Sequence, residues 1–328
     1  MNKSISNKSE YEKVKDFLGS HIAKFDIPGI QYIVMDSCQI IFEYVGGWAD
    51  ISNRKTMHAD TTMMAYSQTK TITAAAILQL YEDGKLNLDD SIDTYISNNP
   101  YGTAITIRHL LSQTSGLPNP IPLKWIHLAE KHGEFDEDLV LSKVLKENPK
   151  LLFEPGRKYS YSNISYWFLG KIVEKLSGQT FSSYIREHIL KPLQISENEM
   201  GCSIPNPNSH AKGYLAKYSF FNLIKDFLLN REMIGKYEGK WLHLKSHYLN
   251  GPAFGGLVGT ANGFRKFLQD QLKNEPNLFS EKTKKLFYTQ QKNNAGELVE
   301  MTLGWHIGNL DGNKYFFKEG AVADFIVK

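Results

Sequence analysis

The sequence predicts an α+β protein of three layers, in which helices flank an antiparallel sheet that both ends of the chain build. Residues 30–36 and 39–48 are rich in β-branched and aromatic side chains and are joined by a short polar step, as in a β-hairpin. Residues 303–328 have the same character on both sides of an Asp-Gly turn. Most of the chain between them shows the apolar spacing of three and four that is typical of helices.

Helices are predicted before and within this inserted region. Apolar residues at helical spacing indicate a first helix over residues 9–25, which ends before Pro28. A second helix begins at Ser67 and ends near Gly84. Further helices are predicted in the segments TIRHLLSQTSGL, ISYWFLGKIVEKLSG and TFSSYIREHILKPLQI, and from about residue 261.

This pattern divides the chain into two subdomains. Residues 1–65 and 251–328 would form a discontinuous sheet-containing subdomain, and residues 66–250 a mainly helical one. Residues 118–150 and 203–250 carry no clear periodicity, so their structure is not predicted. We expect the active site between the two subdomains.

The composition excludes several classes of function. The net charge is only +3 and the lysines are scattered, so no nucleic-acid partner is expected. No window approaches the ~18 apolar residues of a membrane span. The N-terminal segment lacks the apolar core of a signal peptide. We therefore expect a cytoplasmic protein with no membrane partner.

Metal and cofactor chemistry is not predicted either. The two cysteines, Cys38 and Cys202, are far apart and lack the spacing of a metal site. The ten histidines show no HExxH or comparable ligand pattern, and a structural role explains His109 better than a catalytic one. We therefore expect no metal ion and no cofactor.

Ser67 and Lys70 are the first candidates for catalytic residues. Their spacing of three places them on one face of the predicted helix. A serine hydroxyl becomes a nucleophile when a base takes its proton, and a lysine is such a base only when its pKa lies well below about 10.4. If Ser67 opens the helix, its backbone N–H is available to stabilise an oxyanion. The SxxK spacing alone is common in proteins and does not separate catalysis from chance.

Two more pairs of residues carry suitable chemistry. Tyr161 and Asn163 precede an apolar helix and supply a phenol and a carboxamide, which can relay a proton and bind an amide. Lys318 and Gly320 lie on a predicted C-terminal strand, where a cation could lower a neighbouring pKa and a glycine lets a substrate approach the backbone. Each pair alone is a weak signal.

Taken in order, the motifs SxxK, YxN and KxG resemble those of the serine β-lactamase and penicillin-binding-protein superfamily. The resemblance is strongest to the class C-like branch, with its D-alanyl-D-alanine carboxypeptidases, D-aminopeptidases and family VIII carboxylesterases. It covers roughly residues 9–328, through segments such as DGKLNLDDSIDTYI, EPGRKYSYSNISYWFLGKIVEKLSG and GGLVGTANGFRKFL. It implies the β-lactamase/DD-peptidase-like fold.

The resemblance also implies the roles of the catalytic groups. Ser67 would be the acylated nucleophile, and Lys70 its proton acceptor or electrostatic helper. Tyr161 would be the general base that protonates the leaving group and activates the deacylating water. Whether Lys70 or Tyr161 takes the first proton stays open.

The binding groups follow from the same resemblance. Asn163 would hydrogen-bond the amide of the substrate, and Lys318 would supply positive charge to the cleft. The backbone N–H groups of Ser67 and of Ala321, the residue after Gly320, would form the oxyanion hole.

Glu319 departs from the family pattern, because relatives that bind a carboxylate have threonine or serine at this position. Strand alternation places Glu319 on the same side as Ala321, so its carboxylate is predicted to face the substrate and to repel another carboxylate. We therefore expect neutral or amine-bearing esters and amides to be better substrates than β-lactams or peptides with a free carboxylate.

The second departure is that the chain ends eight residues after Gly320. Family members continue with a terminal helix and a further strand, which lies between the N-terminal hairpin and the Lys318 strand. A gap in the sheet or an exposed edge is therefore predicted. Three explanations stay open: a shortened sequence, a second copy or another chain that completes the sheet, and a degenerate relative.

The leading hypothesis is a serine hydrolase that acts through a Ser67 acyl-enzyme on a small-molecule or peptide substrate. Esterase or D-amino-acid peptidase activity is favoured over β-lactamase activity because of Glu319. The alternative is a catalytically silent scaffold or binding protein on the same fold, which the shortened sheet makes plausible.

Overall fold

Helices and strands of a mixed α/β fold follow one another in the computed structural model, which describes residues 8–120, 125–322 and 325–327. The α-helices are α1 (Lys8–Phe25), α2 (Thr69–Glu82), α3 (Ile107–Leu111), α4 (Glu137–Glu147), α5 (Asn163–Ser177), α6 (Phe181–Ile185), α7 (Phe220–Leu228), α8 (Pro252–Gly255), α9 (Ala261–Leu272) and α10 (Glu281–Phe287). The strands are β1 (Gly29–Met35), β2 (Ile40–Asp50), β3 (Lys55–Thr56), β4 (Met63–Met64), β5 (Ile126–Leu128), β6 (Met200–Gly201), β7 (Gly213–Ala216), β8 (Ile234–Glu238), β9 (Trp241–Leu244), β10 (His247–Leu249), β11 (Val258–Gly259), β12 (His306–Leu310), β13 (Asn313–Phe317), β14 (Gly320–Val322) and β15 (Phe325–Val327).

The N-terminal hairpin has the form that the sequence predicts. Strands β1 and β2 are antiparallel, with Gly29 opposite Gly47 and Val34 opposite Phe42. Helix α1 packs against β2, and helix α9 packs against β1. The helix predicted over residues 9–25 therefore lies beside the sheet to which it was assigned.

Helices α2, α5 and α8 form the centre of the molecule, where each contacts the other two. Helix α2 is buried on nearly all sides, and Ile72, Ile77 and Leu80 have no exposed surface. Helix α8 packs against α5 at Gly170, where a side-chain Cβ would collide with Ala253. A glycine at this position therefore allows the two backbones to approach closely.

Three segments differ in detail from the prediction. The helix expected in TIRHLLSQTSGL is only the short α3, and the chain turns at Gln113, where φ is +58°. Helix α6 continues into a π-helical turn, Arg186–Leu190, instead of one regular helix. The region 203–250, for which the sequence predicts no structure, contains a three-stranded antiparallel sheet in the order β7–β9–β8. Helix α7 packs on strand β7 of this sheet.

The C-terminal strands form two hairpins, β12–β13 and β14–β15. Within the described parts of the chain, neither hairpin is hydrogen-bonded to the β1–β2–β3 sheet, so the strands of the two termini do not join directly. A cavity of about 640 Å³ separates them, with β1 on one side and Tyr315–Glu319 on the other. The edges of the two hairpins are thus too far apart to pair. Lys318 and Glu319 lie in the connection between β13 and β14, and not on a strand as the sequence predicts.

None of the helices in the described ranges combines the length and the apolar composition needed to cross a membrane.

Candidate active site

Ser67 lies in a 3₁₀ turn, Tyr66–Gln68, that leads directly into α2. The residue before it, Tyr66, is buried and has a φ of +47°, a conformation that residues other than glycine adopt at an energetic cost. The packing around Tyr66 holds this strained turn, and Ser67 remains half-buried at the start of the helix. The sequence predicts the position of the helix start but not the strained residue before it.

Two side chains from different elements reach the Ser67 hydroxyl. The phenol oxygen of Tyr161 lies 2.6 Å from Oγ of Ser67. Nζ of Lys70, one turn along the chain, lies 3.0 Å from the same oxygen. The SxxK and YxN motifs therefore meet at one hydroxyl group.

Lys70 is buried completely, which is unusual for a lysine. Its Nζ also lies 2.7 Å from Oδ1 of Asn163 and 2.6 Å from the backbone carbonyl oxygen of Phe254 on α8. The sequence does not predict this contact with Phe254, because every residue has a backbone carbonyl and the side-chain pattern cannot distinguish one from another.

Burial and a neighbouring cation both act on the amine of Lys70. Burial lowers its pKa well below that of a free lysine, because the charged form loses hydration, and the charge of Lys318 lowers it further. Both effects favour the neutral amine, the form in which a lysine can accept a proton.

The pKa of the Tyr161 phenol shifts in the opposite direction. Burial raises its pKa, and the hydrogen bond with Ser67 opposes part of that rise. The ring lies between two amines, with Nζ of Lys70 5.0 Å and Nζ of Lys318 4.9 Å from its centroid. The phenol is therefore protonated at rest, and two nearby amines are placed to stabilise a phenolate.

Lys318 is also buried, with 7% of its surface exposed. Burial lowers its pKa to about 7, against the opposing effect of the Glu319 carboxylate. Its charge is therefore sensitive to pH close to neutrality.

Gly320 fits tightly against the turn that carries Ser67. A Cβ at this position would collide with the carbonyl oxygen of Ala65 and would lie 3.2 Å from the backbone nitrogen of Ser67. The glycine thus allows strand β14 to approach the start of α2, rather than only giving space to a substrate as the sequence suggests. Glu319 and Ala321, its neighbours, are both exposed.

Asn163 is the first residue of α5, and Ser162 caps this helix by accepting from the N–H of Ser165. The Asn163 side chain is buried between Lys70 and Asn119. Its Nδ2 lies 3.2 Å from Oδ1 of Asn119, a residue that the sequence analysis did not select.

His306 and Tyr159 border the site and were also missed. Nε2 of His306 lies 3.2 Å from the Tyr159 hydroxyl, and the His306 ring is stacked beside Tyr161 at 6.5 Å. Burial lowers the pKa of His306 to about 3, with additional effects of Lys318 and Lys70, so its imidazole is neutral. The only sequence signal was its position in the segment LGWHIG.

The assembled groups can perform acyl transfer. A hydroxyl in contact with a neutral amine can attack a carbonyl carbon, and a protonated phenol can supply a proton to a leaving group. Among the described residues, no group of three or more histidine, cysteine, aspartate or glutamate side chains is placed to hold a metal ion.

Comparisons with known proteins identify the family of the chain. The family model described as Beta-lactamase matches residues 14–326. Protein flp of Staphylococcus aureus (strain MW2) is 28% identical over 204 residues, which are 58% of this chain and 38% of that protein. Penicillin-binding protein 4* of Bacillus subtilis (strain 168) is 26% identical over 274 residues, 82% of this chain and 57% of that protein. The chain thus spans about two to three fifths of the length of these curated relatives.

Solved structures show the same fold at low sequence identity. D-amino acid amidase from Ochrobactrum anthropi SV3, complexed with L-phenylalanine amide, has a TM-score of 0.77 at 18% identity and covers 94% of this chain and 84% of its own. The octameric penicillin-binding protein homologue from Pyrococcus abyssi has a TM-score of 0.74 at 23% identity, with coverages of 94% and 68%. EstCE1, a hydrolase with promiscuous acyltransferase activity, has a TM-score of 0.70 at 21% identity, with coverages of 95% and 84%.

Proposed function

The chain belongs to the beta-lactamase family, and we propose that it is a serine hydrolase that forms an acyl-enzyme on Oγ of Ser67. One observation carries this proposal: the fully buried amine of Lys70 lies 3.0 Å from Oγ of Ser67. Burying a lysine without a carboxylate partner is costly, and the cost is understandable where the neutral amine is required as a base.

The first proton goes from Ser67 to Lys70. The pKa of Lys70 is lowered and that of Tyr161 is raised, so these shifts favour the neutral amine and the neutral phenol, and Lys70 is the better base. The Lys70 amine donates to the carbonyl oxygen of Phe254 and to Oδ1 of Asn163, which aims its lone pair at the Ser67 hydroxyl. Lys70 takes that proton as Oγ attacks the carbonyl carbon of the substrate.

Tyr161 then completes acylation. Its O–H lies 2.6 Å from Oγ of Ser67, next to where the leaving group departs, so it donates its proton to that group. The phenolate that remains faces two cations, protonated Lys70 and Lys318. These two cations stabilise the negative charge of the phenolate until deacylation begins.

Deacylation reverses these transfers. The phenolate of Tyr161 takes a proton from water, and the hydroxide attacks the acyl carbon. Oγ of Ser67 leaves and recovers its proton from Lys70. One ester or amide bond and one water are consumed, and every group returns to its initial protonation state.

The oxyanion of the tetrahedral intermediate would accept hydrogen bonds from the backbone N–H groups of Ser67 and Ala321. The close packing of Gly320 on the Ser67 turn supports this proposal, since it brings the start of β14 beside the nitrogen of Ser67. In substrate binding, Lys318 supplies positive charge and Gly320 allows the close approach of the backbone. Asn163 acts through its carboxamide.

We propose an ester or a D-amino-acid amide or peptide as the substrate rather than a β-lactam. Two structural neighbours are a D-amino acid amidase and a hydrolase with promiscuous acyltransferase activity. Glu319 is exposed next to Lys318, so its carboxylate reduces the positive charge that a substrate carboxylate would meet. Relatives that bind carboxylates have a hydroxyl side chain at this position.

The alternative, a silent scaffold, is less well supported. Its motif residues would have no reason to converge, whereas Nζ of Lys70 and the phenol oxygen of Tyr161 both lie within 3.0 Å of Oγ of Ser67. The cavity between β1 and Tyr315–Glu319 leaves room for a partner chain, and an assembly of copies is a further proposal, supported by the octameric homologue from Pyrococcus abyssi.

Labelling with a fluorophosphonate and with a penicillin, read by peptide mass, tests the proposed function. We expect the fluorophosphonate to form a covalent adduct on the peptide containing Ser67, faster than the penicillin does. The adduct should be absent in Ser67→Ala and present in Ser182→Ala, an exposed serine on α6 that serves as the matched control. A folded sample that neither probe labels would favour the silent scaffold.

A further inference from the structure

Asn119 lies at the edge of the proposed site, in the loop that follows α3. Its side chain is exposed, and its Oδ1 accepts two hydrogen bonds from one residue. The donors are the backbone N–H of Asn163 at 3.1 Å and Nδ2 of the same residue at 3.2 Å. No role was assigned to Asn119 by the motifs.

These contacts fix which way the Asn163 carboxamide faces. The backbone N–H of Asn163 can only donate, so the Asn119 atom that it meets is the oxygen. The Asn163 atom that meets the same oxygen must then be the nitrogen, Nδ2. The remaining atom, Oδ1, faces Nζ of Lys70 at 2.7 Å. The position of Oδ1 of Asn119 therefore determines that Lys70 faces Oδ1 of Asn163 and not Nδ2.

The loop that carries Asn119 is held firmly against the start of α5. The carbonyl oxygen of Pro118 accepts a hydrogen bond of 2.9 Å from Oγ of Ser162. The carboxamide of Gln113 accepts from the backbone N–H of Ser162 at 2.7 Å and donates to its carbonyl oxygen at 3.2 Å. Asn119 therefore has a fixed position relative to Asn163.

We propose that Asn119 is a positioning residue for the hydrolase reaction, which it supports by holding Oδ1 of Asn163 on the amine of Lys70. This inference rests on the proposed function. It also bears on the substrate class, because one of the two N–H groups on Nδ2 of Asn163 donates to Asn119, so at most one can donate to a substrate. With at most one such hydrogen bond to gain, an N-acylated amino-acid ester has little advantage over a simple acyl ester.

Several groups act on the amine that Asn119 controls. Tyr161 from the loop before α5, Tyr166 on α5 and Lys318 from the connection between β13 and β14 all place a ring or a charge near Nζ of Lys70. His306 on β12 is also close enough for its pKa to depend on Lys70. These groups are unchanged in an Asn119 variant, so a change in pH dependence reports the contact with Asn163.

A double-mutant cycle with Asn119→Leu and Asn163→Leu tests the proposal. Hydrolysis of p-nitrophenyl butyrate is measured from pH 5 to 9 in the wild type, both single variants and the double variant. If Asn119 acts through Asn163, Asn119→Leu should lower kcat about tenfold in the wild type and less than twofold in Asn163→Leu. The acid limb of its kcat/KM profile should move to lower pH, because losing an acceptor at Nζ disfavours the ammonium form of Lys70.

Two further variants separate positioning from structure. Asn119→Asp keeps an acceptor oxygen and should recover most of kcat, while Asn198→Leu, the same change at an exposed asparagine outside the site, should leave kcat and Tm as in the wild type. The ratio of rates for p-nitrophenyl butyrate and an N-acetylamino ester of similar length should be near one in the wild type.

The outcomes distinguish this inference from the proposed function. A wild-type protein that is labelled at Ser67, with an Asn119→Leu variant that keeps its kcat and pH profile, overturns the inference alone. Effects that multiply in the double variant also overturn it, since they show that Asn119 acts independently of Asn163. A wild-type protein that no probe labels overturns the proposed function and this inference with it.

Discussion

Oγ of Ser67 and the phenol oxygen of Tyr161 lie 2.6 Å apart, although 94 residues separate them in the sequence. The contact joins the start of α2 to the loop before α5, two elements that also pack against each other along their length. The two residues of this proposed catalytic pair therefore lie at the starts of two central helices that pack against each other.

Replacing Lys70 removes the proposed base. Lys70→Met should lower kcat for ester hydrolysis by about 10² to 10⁴, the usual contribution of a general base. Lys85→Met, at an exposed position beyond the other end of α2, is the control and should stay within twofold of the wild type. Steady-state kinetics measure both, and a Lys70→Met variant with near-normal kcat would remove Lys70 from the mechanism.

Replacing Tyr161 with phenylalanine removes one oxygen and keeps the ring beside the two amines. We expect kcat to fall by about 10² or more, because the leaving group loses its proton donor. For esters with a good leaving group, such as p-nitrophenol, kcat should fall less than for esters of simple alcohols. Tyr159→Phe, which affects only the contact with His306, should change kcat less than threefold. Equal losses for both classes of ester would contradict the assigned role.

Gly320 is predicted to tolerate no side chain. In Gly320→Ala the new Cβ collides with the carbonyl oxygen of Ala65, so β14 must move away from the Ser67 turn. We expect kcat to fall at least tenfold as the oxyanion donors separate. Gly133→Ala, where a Cβ meets nothing within 4 Å, is the matched control. The rate of fluorophosphonate labelling at Ser67 measures the effect directly.

Glu319→Thr should change substrate preference more than overall activity. Removing the carboxylate leaves the charge of Lys318 unopposed, so substrates with a carboxylate bind better. We expect the ratio of nitrocefin to p-nitrophenyl ester turnover to rise about tenfold. The idea fails if wild-type protein already hydrolyses nitrocefin faster than short-chain esters.

The activity should pass through a maximum as the pH changes. Below the lowered pKa of Lys70 the amine becomes charged and cannot act as a base, so kcat/KM falls at acidic pH. Lys318 loses its charge as the pH rises through its pKa of about 7, so the phenolate of Tyr161 loses a stabilising cation and kcat/KM falls again. Lys318→Arg should remove this alkaline limb, because a guanidinium stays charged. A variant that retains the wild-type profile would show that another group titrates.

The lowered pKa of Lys318 also affects the free energy of unfolding. The pKa of Lys318 in the folded protein, about 7, lies below its ordinary value of 10.5, so between these pH values the unfolded chain binds more protons. This group therefore makes the free energy of unfolding rise with pH over that range, and Lys318→Met should remove its contribution. Urea denaturation at pH 7 and at pH 9 measures the difference.

The main elements of the fold are predictable because their signals are local. The apolar spacing of α1, α2 and α5 and the alternation in β1 and β2 are visible within single segments. The three-stranded sheet of residues 213–244 is not, because its short strands gain stability from pairing with one another. The gap between the terminal hairpins depends likewise on contacts that no single segment contains.

The candidate site divides in the same way. The motifs identify Ser67, Lys70 and Tyr161 because their side chains carry recognisable chemistry. The contact from Phe254 is a backbone carbonyl, which any residue type offers, and Asn119 belongs to none of the motifs. Such groups appear only when the packing of the chain is known.

Gly170 illustrates how far this dependence extends. Its missing side chain lets α5 lie against α8 at Ala253, and the next residue, Phe254, offers its carbonyl to the amine of Lys70. The spacing between two helix axes thus sets the position of this carbonyl oxygen relative to the proposed base. A methyl group at residue 170 would move an acceptor away from an amine that the methyl group never touches, so the geometry of the proposed base depends partly on residues that carry no functional group at all.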